Sequence, residues 1–420
     1  MRILFVAETS SIHTARWISQ LDKSGWDIHV FQPTAPGYGV CEELKYGELH
    51  LPNPLGILSR AAHRLTGKVP ALVSTLTGKG AAAVAEQSRV AQTYRTKALA
   101  SLIKRLRPQV IHSLGLNVNW NNVCLPVLQA RQTLGTIAFA GPWIYSSWGT
   151  DLDYYALQSA EHRAEVEAVL KTCDYYIAEC QRDARLAQRM GFRGNFAGIF
   201  PAFGGVPWED FARFRLRAAS SSRRIILLKG RDDGDDGIYR GLTALKALAL
   251  CGRALEDYRI LIALASKAVV AEAAALASAT NLRVEALPHL PYTGLLRIMG
   301  ASRLFLSLTA NDGLPSMLVE AMALGSLPVH SDLESIREWV KNGETGLLVP
   351  YDDPAAVADA IKRALTDDAL VDRAAKSNAR LVQENLSDGV VRPRVIEMYE
   401  HVAKQGRIGR RTDPHAHTST

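Results

Sequence analysis

The chain has 420 residues, 47% of them hydrophobic, and a formal net charge of +7. This length predicts roughly two domains, and the hydrophobic content is typical of a globular protein. No apolar run approaches the roughly 18 to 20 residues of a membrane-spanning helix, so an integral membrane protein is not expected.

Cysteine usage and the N-terminus indicate the compartment. The five cysteines are an odd number without paired spacing, which is typical of free thiols in a reducing compartment. The apolar stretch at residues 1–7 is too short for a signal peptide and predicts a buried strand instead. No Cys/His group has zinc spacing. We therefore expect a cytoplasmic protein without a metal or another cofactor.

The positive charge is concentrated in residues 55–107, which contain ten Lys and Arg and one acidic residue, Glu86. Such a segment suits anionic lipid, an acidic saccharide or nucleic acid. Tyr94 is its one aromatic residue, so base stacking fits poorly and no nucleic-acid partner is expected. A solvated basic face is the competing interpretation. Our hypothesis is a weak contact with an anionic surface at the inner face of a membrane.

In the first half of the chain, short apolar strands alternate with helical segments. Strands are predicted at residues 2–7, 27–31, 110–113, 137–139 and 175–178, and a helix at 15–24. Strands separated by helices form a parallel sheet that is covered on both faces.

The alternation stops near residue 204, and a basic, serine-rich stretch ends at residue 224, so we place the interdomain linker here. A second doubly wound unit follows, because strands and helices alternate again. Strands are predicted at 225–229, 258–264 and 282–287, and helices at 241–251 and 268–279. Ligands of such sheets bind at the carboxyl ends of the strands.

Residues 311–325 are the most informative segment, and they predict a tight turn, a short helix and a glycine stop. Asp312 and Gly313 have turn chemistry. Pro315 suits a first helical turn, and Gly325 suits the left-handed position just after a helix. The amide groups at a helix start are a ready phosphate site.

Glu320 lies within this short helix. The helix is apolar nearly all round, so the carboxylate is expected to be buried and to need hydrogen-bond donors. The hydroxyls of a sugar or a ribose are such donors. The segment therefore predicts one half of a nucleotide-sugar pocket.

This segment resembles the signature of retaining glycosyltransferases of family 4, in which two acidic residues are separated by seven positions. Here they are Asp312 and Glu320, and the family usually has Glu at the first place. The resemblance implies that Asp312 orients the donor sugar as a catalytic residue and that Glu320 binds the ribose. It also implies donor contacts at Gly313, Leu314, Ser316 and Met317. The alternative is a solvated glutamate beside an ordinary turn.

The flanking pattern also resembles the family. Strands are predicted at 302–308 and 327–329, and a turn and strand at 342–350. Asp353 and Pro354 then open a helix as its cap and first residue.

The resemblance implies an α/β GT-B fold, with two Rossmann-like doubly wound domains facing a cleft. An acceptor-side domain is expected at 1–205 and a nucleotide-sugar-binding domain at 206–385. Residues 386–404 are expected to form a helix that crosses back to the first domain. Residues 405–420, which include His415 and His417, are expected to be a disordered tail.

A nucleoside diphosphate needs cations, and the family has an Arg after the first strand of the second domain. Arg231 matches it. The Lys that usually follows is missing, so Arg240 is predicted as its substitute, with Lys229 as the alternative. Surface charges that offset the acidic loop are the competing interpretation of Arg240 and Lys229. The loop's four aspartates, within 232–236, lack EF-hand spacing and predict an exposed turn.

The loop after the first strand resembles that of a family subgroup with a Ser-Ile-His-Thr pattern. This resemblance implies that Ser11, His13 and Arg16 lie on the acceptor side. In the competing interpretation, Thr14 caps the first helix and His13 is merely exposed.

A second acceptor-side loop contains Trp148 and Asp151. Many relatives have His where Trp148 stands, so Trp148 is expected to stack on a sugar ring or to be an ordinary packed aromatic. Asp151 and Asp153 have the Asp-x-Asp spacing of the metal motif in the other major glycosyltransferase fold. The sequence around them does not fit that motif. Asp151 is therefore grouped with the acceptor-side residues.

The resulting hypothesis is a retaining hexosyltransferase that uses a nucleoside-diphosphate sugar and a glycan, glycolipid or small-molecule acceptor. A bacterial surface polysaccharide is an acceptor that the resemblance suggests. Two alternatives remain open: a nucleotide-sugar epimerase of the same fold, and a non-catalytic partner of a true transferase.

Overall fold

The computed structural model describes residues 1–33, 41, 44, 48–50, 81–116, 123–139, 141–234 and 237–411, with the side chains at 81–91, 136–137 and 407–411 left aside. The chain divides into two compact units, one of Met1–Gly204 with Arg392–Thr420 and one of Gly205–Val391. Residues 55–80 of the basic segment and residues 412–420 of the predicted tail lie outside the described residues. The prediction of a disordered tail from residue 405 is wrong for residues 405–411, because the last helix continues to Arg411.

Each unit contains a parallel sheet, with seven strands in the first and six in the second as far as the chain is described. The strands of the first sheet are β1 (Arg2–Val6), β2 (Asp27–Phe31), β3 (Glu48–His50), β4 (Val110–Leu114), β5 (Trp143–Ser146), β6 (Tyr175–Ala178) and β7 (Asn195–Ile199). The strands of the second sheet are β8 (Ile225–Lys229), β9 (Arg259–Ala263), β10 (Arg283–Ala286), β11 (Leu304–Ser307), β12 (Leu327–Ser331) and β13 (Leu347–Val349).

Helices follow most strands. Those before the second sheet are α1 (Ile12–Ser19), α2 (Ala81–Leu106), α3 (Cys124–Ala138), α4 (Ala156–Gln158), α5 (Ala160–Thr172), α6 (Gln181–Arg189) and α7 (Trp208–Ala212). The later ones are α8 (Gly241–Cys251), α9 (Lys267–Ala279), α10 (Tyr292–Ala301), α11 (Ser316–Leu324), α12 (Glu334–Arg337), α13 (Pro354–Thr366), α14 (Asp368–Leu386) and α15 (Asp388–Arg411). No helix in the described part of the chain has both the length and the apolar character that crossing a membrane requires.

Both sheets have the strand order of dinucleotide-binding folds. The first runs β3-β2-β1-β4-β5-β6-β7 and the second β10-β9-β8-β11-β12-β13. Counted from the first strand of each unit, both contain the 3-2-1-4-5-6 order, which the first sheet extends by a seventh strand. Ligands of this fold bind where the order reverses. The predicted class of two Rossmann-like doubly wound units is confirmed. The switch points lie beside β1 and β4 in one unit and beside β8 and β11 in the other.

Two predicted elements of the first unit need correction. Residues 137–139 are not a strand, because α3 continues to Ala138 across a kink at Gly135, where φ is +66°. The strand that pairs with β4 is β5, whose four residues are all buried. The first helix is α1, which begins at Ile12 and not at residue 15, because Ser11 caps its first turn.

The last helix contributes Tyr399 to the core of the first unit. The indole N–H of Trp17 donates to the Tyr399 hydroxyl at 2.9 Å, and Nδ1 of His112 lies 2.6 Å from the same oxygen. Nε2 of His112 lies 2.7 Å from Oγ of Ser146. Burial lowers the pKa of His112 to about 3, so its ring is neutral and joins α15 to β4 and β5 through hydrogen bonds.

Candidate functional site

The helix α11 follows the loop after β11, at the switch point of the second sheet. All its residues from Met317 to Leu324 are buried, which confirms the predicted apolar helix. Gly325 ends it with φ +83° in the left-handed region, as predicted. Pro315 lies one position earlier than expected, because it occupies the N-cap and the helix begins at Ser316. The Pro cap makes no side-chain hydrogen bond to the first amide groups of α11, and such amide groups can bind an anion.

Glu320 is 3% exposed within this helix. The Tyr292 hydroxyl, at the start of α10, donates a hydrogen bond of 2.8 Å to its Oε1. Ligand hydroxyls are therefore not required as the first hydrogen-bond donor to this carboxylate, contrary to the prediction, because the protein supplies one itself. The sequence did not reveal Tyr292, since 28 residues separate the partners.

The turn before α11 is held by hydrogen bonds that involve two side chains, those of Asp312 and Ser335. The Gly313 amide donates to Oδ1 of Asp312 at 2.9 Å, and the Ser335 hydroxyl donates to the Asp312 carbonyl at 2.7 Å. Leu314 is buried at 3% exposure, whereas Asp312 and Ser316 are partly exposed. The structure therefore brings together the predicted donor residues of this turn, with Asp312 within reach of solvent.

Two cations from the end of β8 lie over one aromatic ring. Nζ of Lys229 is 4.6 Å and the guanidinium carbon of Arg231 is 4.2 Å from the centre of the Tyr239 ring. Such contacts are attractive because the face of the ring is negative. Burial lowers the pKa of Lys229, Asp312 opposes this effect and Arg231 adds to it. The Lys229 ammonium therefore lies within electrostatic range of Asp312 and also of Glu320.

Arg240 has a different environment. Its Nη1 donates to three carbonyl oxygens of the preceding loop, those of Gly234 at 3.1 Å, Gly237 at 2.6 Å and Tyr239 at 3.3 Å. Its guanidinium carbon also lies 5.7 Å from the centre of the Tyr351 ring. Arg240 therefore holds the loop together through these contacts. The geometry favours Lys229, the alternative predicted from the sequence, as the second cation beside Arg231.

A neutral histidine lies close to these charges. His330 on β12 is fully buried. Burial lowers its pKa to about 3, and the charge of Lys229 adds to the effect. His330 could not be recognised from the sequence, because it lies among the apolar residues of a predicted strand and no motif marks it.

A cavity of about 460 Å³ lies beside Arg231, at the carboxyl ends of β8, β9 and β10. Its lining also includes Leu264, whose φ of +55° is a rare conformation for a residue with a side chain. Such strain is concentrated at binding sites. Asp232 lines the cavity as well, and its Oδ2 accepts from the Leu242 amide at 2.8 Å, so this aspartate orders the start of α8.

In the first unit, the predicted acceptor-side residues lie around the start of α1. Ser11 is the N-cap, and its Oγ accepts from the His13 amide at 3.2 Å. The competing interpretation that Thr14 caps the helix is wrong, because Thr14 is fully buried inside it. His13 is half-buried and packs on Trp148, with ring centres 5.8 Å apart. Arg16 is also half-buried.

Trp148 is positioned by Asp151. The carboxylate of Asp151 is 2% exposed, and its Oδ2 accepts from the amides of Trp148 and Leu116, both at 2.9 Å. Asp153 instead pairs with Arg182 at 2.9 Å. The two aspartates of the metal-like motif therefore have different protein partners. Asp151 affects the predicted acceptor-side residues by positioning Trp148.

The space between these rings is small. A cavity of about 10 Å³ lies between His13, Trp17 and Trp148. This is about the volume that one water molecule needs. Trp148 therefore packs against His13, and its stacking on a sugar ring stays a prediction.

Two family models match the sequence. "Glycosyl transferases group 1" matches residues 214–382, and "Glycosyl transferase 4-like" matches residues 2–45. The first of these regions contains every donor-side residue described above, and the second contains α1.

One relative and two solved structures extend this comparison. Phosphatidyl-myo-inositol mannosyltransferase of Mycobacterium leprae is 41% identical over 90 residues, 21% of this chain and 24% of the relative. The chain thus matches about a quarter of the length of this relative.

The solved structures match nearly the whole chain. The α,α-trehalose 6-phosphate synthase of Burkholderia multivorans has a TM-score of 0.69 and 13% identity, over 97% of this chain and 98% of that one. Anabaena HepE, in complex with UDP-glucose, has a TM-score of 0.63 and 15% identity, over 96% and 99%. At such identities the likeness concerns the fold.

Proposed function

Because the chain belongs to the glycosyltransferases of GT-B fold, we propose that it transfers a hexose-type sugar from a nucleoside diphosphate to an acceptor hydroxyl, with retention of the anomeric configuration. The observation that carries this proposal is that Lys229 lies within electrostatic range of Arg231, of Asp312 in the turn before α11, and of Glu320 inside α11.

The diphosphate binds to Lys229, Arg231 and the first amides of α11. Burial and the neighbouring Arg231 make the charge of Lys229 costly in the ligand-free protein, and a diphosphate relieves that cost. The helix start adds hydrogen-bond donors and the positive end of its dipole. Together they stabilise the negative charge that develops on the leaving diphosphate.

The nucleoside occupies the region between Glu320 and the cavity beside Arg231. Glu320 accepts from the ribose hydroxyls, and Asp312 orients the sugar. The cavity of about 460 Å³ has the size of a small-molecule site and holds the base. The neighbour HepE was solved with UDP-glucose, which makes a uridine donor the first to test.

In the proposed reaction, the bond between the anomeric carbon and the diphosphate oxygen breaks. The acceptor oxygen bonds to that carbon on the face that the diphosphate leaves. The departing phosphate oxygen takes the acceptor proton, so the reaction needs no enzyme nucleophile, and the chain requires no metal for this step.

The acceptor is a hydroxyl of a glycan or a lipid-linked glycan, and Ser11, His13, Arg16 and Trp148 of the first unit are its proposed contacts. The relative named above acts, by its name, on phosphatidyl-myo-inositol, which favours a lipid acceptor. Lys97, Lys104, Arg105 and Arg107 of the basic segment are exposed and can contact anionic lipid. We place the protein in the cytoplasm, at the inner face of a membrane, since all five cysteines are free thiols.

A thermal-shift screen of nucleotide sugars tests the proposal, because a tight donor raises the melting temperature by mass action. The best donor is then incubated with acceptors, and the anomeric configuration of the product is assigned by NMR. A product with inverted configuration contradicts retention. Epimerisation of the donor without an acceptor favours an epimerase, and donor binding without turnover on any acceptor favours a non-catalytic partner.

Lipid contact has its own test. Flotation with liposomes that contain anionic lipid should carry the protein at low salt, and neutral liposomes should not. Equal recovery with both kinds of liposome would refute the membrane contact and leave the transferase proposal intact.

A further inference from the structure

Two histidines and a glutamate lie together at the edge of the first sheet and are not among the candidate donor and acceptor residues. In the parallel register of β2 and β3, His29 lies opposite Glu48, and Phe31 lies opposite His50. Side chains two residues apart share a face of a strand, so His29, Glu48 and His50 lie on the same face. The sequence gives no zinc spacing here, because 21 residues separate the histidines.

The three ligand atoms lie close to one another. Nδ1 of His29 is 3.0 Å from Nε2 of His50 and 3.5 Å from Oε2 of Glu48. The remaining distance, from Nε2 of His50 to Oε2 of Glu48, is 3.7 Å. A tetrahedral zinc ion with ligand bonds of about 2.0–2.1 Å keeps its ligand atoms roughly 3.3 Å apart. The three atoms therefore need to move by only a few tenths of an ångström.

A carboxylate lies behind the first histidine. Oδ1 of Asp27 is 3.0 Å from Nε2 of His29, and Oδ2 of Asp27 is 2.6 Å from Nε of Arg2. Metal-bound histidines usually direct their second ring nitrogen at a carboxylate, which fixes the tautomer and leaves the other nitrogen free to bind. Here Asp27 lies on the Nε2 side of the His29 ring, and Nδ1 is the ring nitrogen that lies near His50 and Glu48.

We propose that His29, His50 and Glu48 bind one divalent transition-metal ion, with zinc as the best fit and a fourth position left for water. Imidazole and carboxylate ligands favour zinc over magnesium or calcium, which prefer sets of oxygen ligands only. Glu48 is 62% exposed at its side chain, so the ion can enter from solvent.

The ion would join β3 to β2. The strand β3 is only three residues long and lies at the edge of the sheet. Two of its three residues are ligands, so the ion adds a crosslink between neighbouring strands where few backbone hydrogen bonds are available. The site is thus structural and separate from the transfer reaction.

Zinc titration of the full-length protein tests this proposal. The protein is prepared without a polyhistidine tag, stripped with a chelator, and titrated with Zn²⁺ by calorimetry and with Co²⁺ by its visible absorption. We expect one ion per chain, a higher melting temperature with zinc, and the absorption of a tetrahedral cobalt site. No stoichiometric binding at micromolar zinc would overturn the proposal.

Three variants and a control locate the site. His29→Gln with His50→Gln should abolish binding, Glu48→Gln should weaken it about tenfold or more, and Asp27→Asn should weaken it about 10–100-fold. The control is His415→Gln with His417→Gln, which should leave binding unchanged. Since Glu48 is exposed, its variant should fold even if the double histidine variant does not. Binding that Glu48→Gln leaves unchanged, or that the control pair abolishes, would contradict the assignment.

Discussion

The hydroxyl of Tyr292 donates a hydrogen bond of 2.8 Å to Oε1 of Glu320. This hydrogen bond contributes to keeping a carboxylate that is 3% exposed in an apolar helix before any sugar nucleotide binds. Binding of a nucleotide sugar should also affect the Tyr292 hydrogen bond, since the ribose hydroxyls would compete for the same carboxylate oxygen atoms.

The first prediction concerns Tyr292→Phe. Loss of the hydroxyl removes one hydrogen-bond donor from the buried carboxylate of Glu320, so the free energy of unfolding should fall by about 1–3 kcal/mol. A ribose hydroxyl can replace the missing hydrogen-bond donor. A bound nucleotide sugar should therefore raise the melting temperature of the variant more than that of the wild type. Differential scanning fluorimetry with and without the donor measures both effects.

Tyr94→Phe is the matched control, since Tyr94 is an exposed tyrosine. If the ligand shifts the two variants and the wild type equally, Tyr292 plays no part in donor binding.

The second prediction separates the two candidate cations. Lys229→Met should weaken donor binding by about 1.5–3 kcal/mol, the usual range for a lost charged hydrogen bond. Arg240→Met should weaken it less, because Arg240 holds loop carbonyls. Calorimetric titration with the same donor compares them. A larger loss in Arg240→Met would restore the assignment that was first made from the sequence.

The third prediction concerns the pH dependence of stability. The folded-state pKa of Lys229 is lowered by burial, so the charged lysine destabilises the folded state. This cost is fully present below the folded pKa and disappears as the pH rises towards the unfolded value of about 10.4. Lys229→Met lacks the cost. Its excess unfolding free energy over the wild type should therefore be largest near neutral pH and shrink in alkaline solution.

Urea unfolding at several pH values measures this excess. Lys246→Met, at an exposed position on α8, is the control and should show no such trend. A constant difference between Lys229→Met and the wild type at all pH values would show that Lys229 titrates normally.

The fourth prediction concerns Asp151. Its Oδ2 accepts from the amides of Leu116 and Trp148, so Asp151→Ala leaves two buried donors without this acceptor. Stability should fall by about 1–3 kcal/mol for each unsatisfied donor. The acceptor KM should also rise, because Trp148 is released, while donor affinity stays the same. Asp153→Ala, which removes an ion pair with Arg182, should leave the acceptor KM unchanged.

The elements of the second unit were largely predictable from the sequence. The helix Gly241–Cys251 and the strand Ile225–Lys229 have the predicted bounds, because apolar periodicity and glycine stops are local signals. The segment around α11 was equally clear, since a turn, an apolar helix and Gly325 follow one another directly.

The partners of the site residues were not predictable. The Tyr239 ring makes cation–π contacts with two cations, and the Tyr292 hydroxyl donates a hydrogen bond to Glu320. Neither tyrosine has a local sequence signal. Both pairings depend on which loops the sheet places side by side. The same limit explains the first unit, where Tyr399 and His112 are 287 residues apart in the chain.

The central claim is that Glu320 binds the nucleoside of a sugar donor. Calorimetry of Glu320→Ala with the donor that gives the largest thermal shift tests it most directly, with Glu344→Ala at an exposed site as the control. We predict a loss of donor affinity on the order of 1–3 kcal/mol for Glu320→Ala, with circular dichroism showing an intact fold. Wild-type affinity in a folded Glu320→Ala protein would contradict the account.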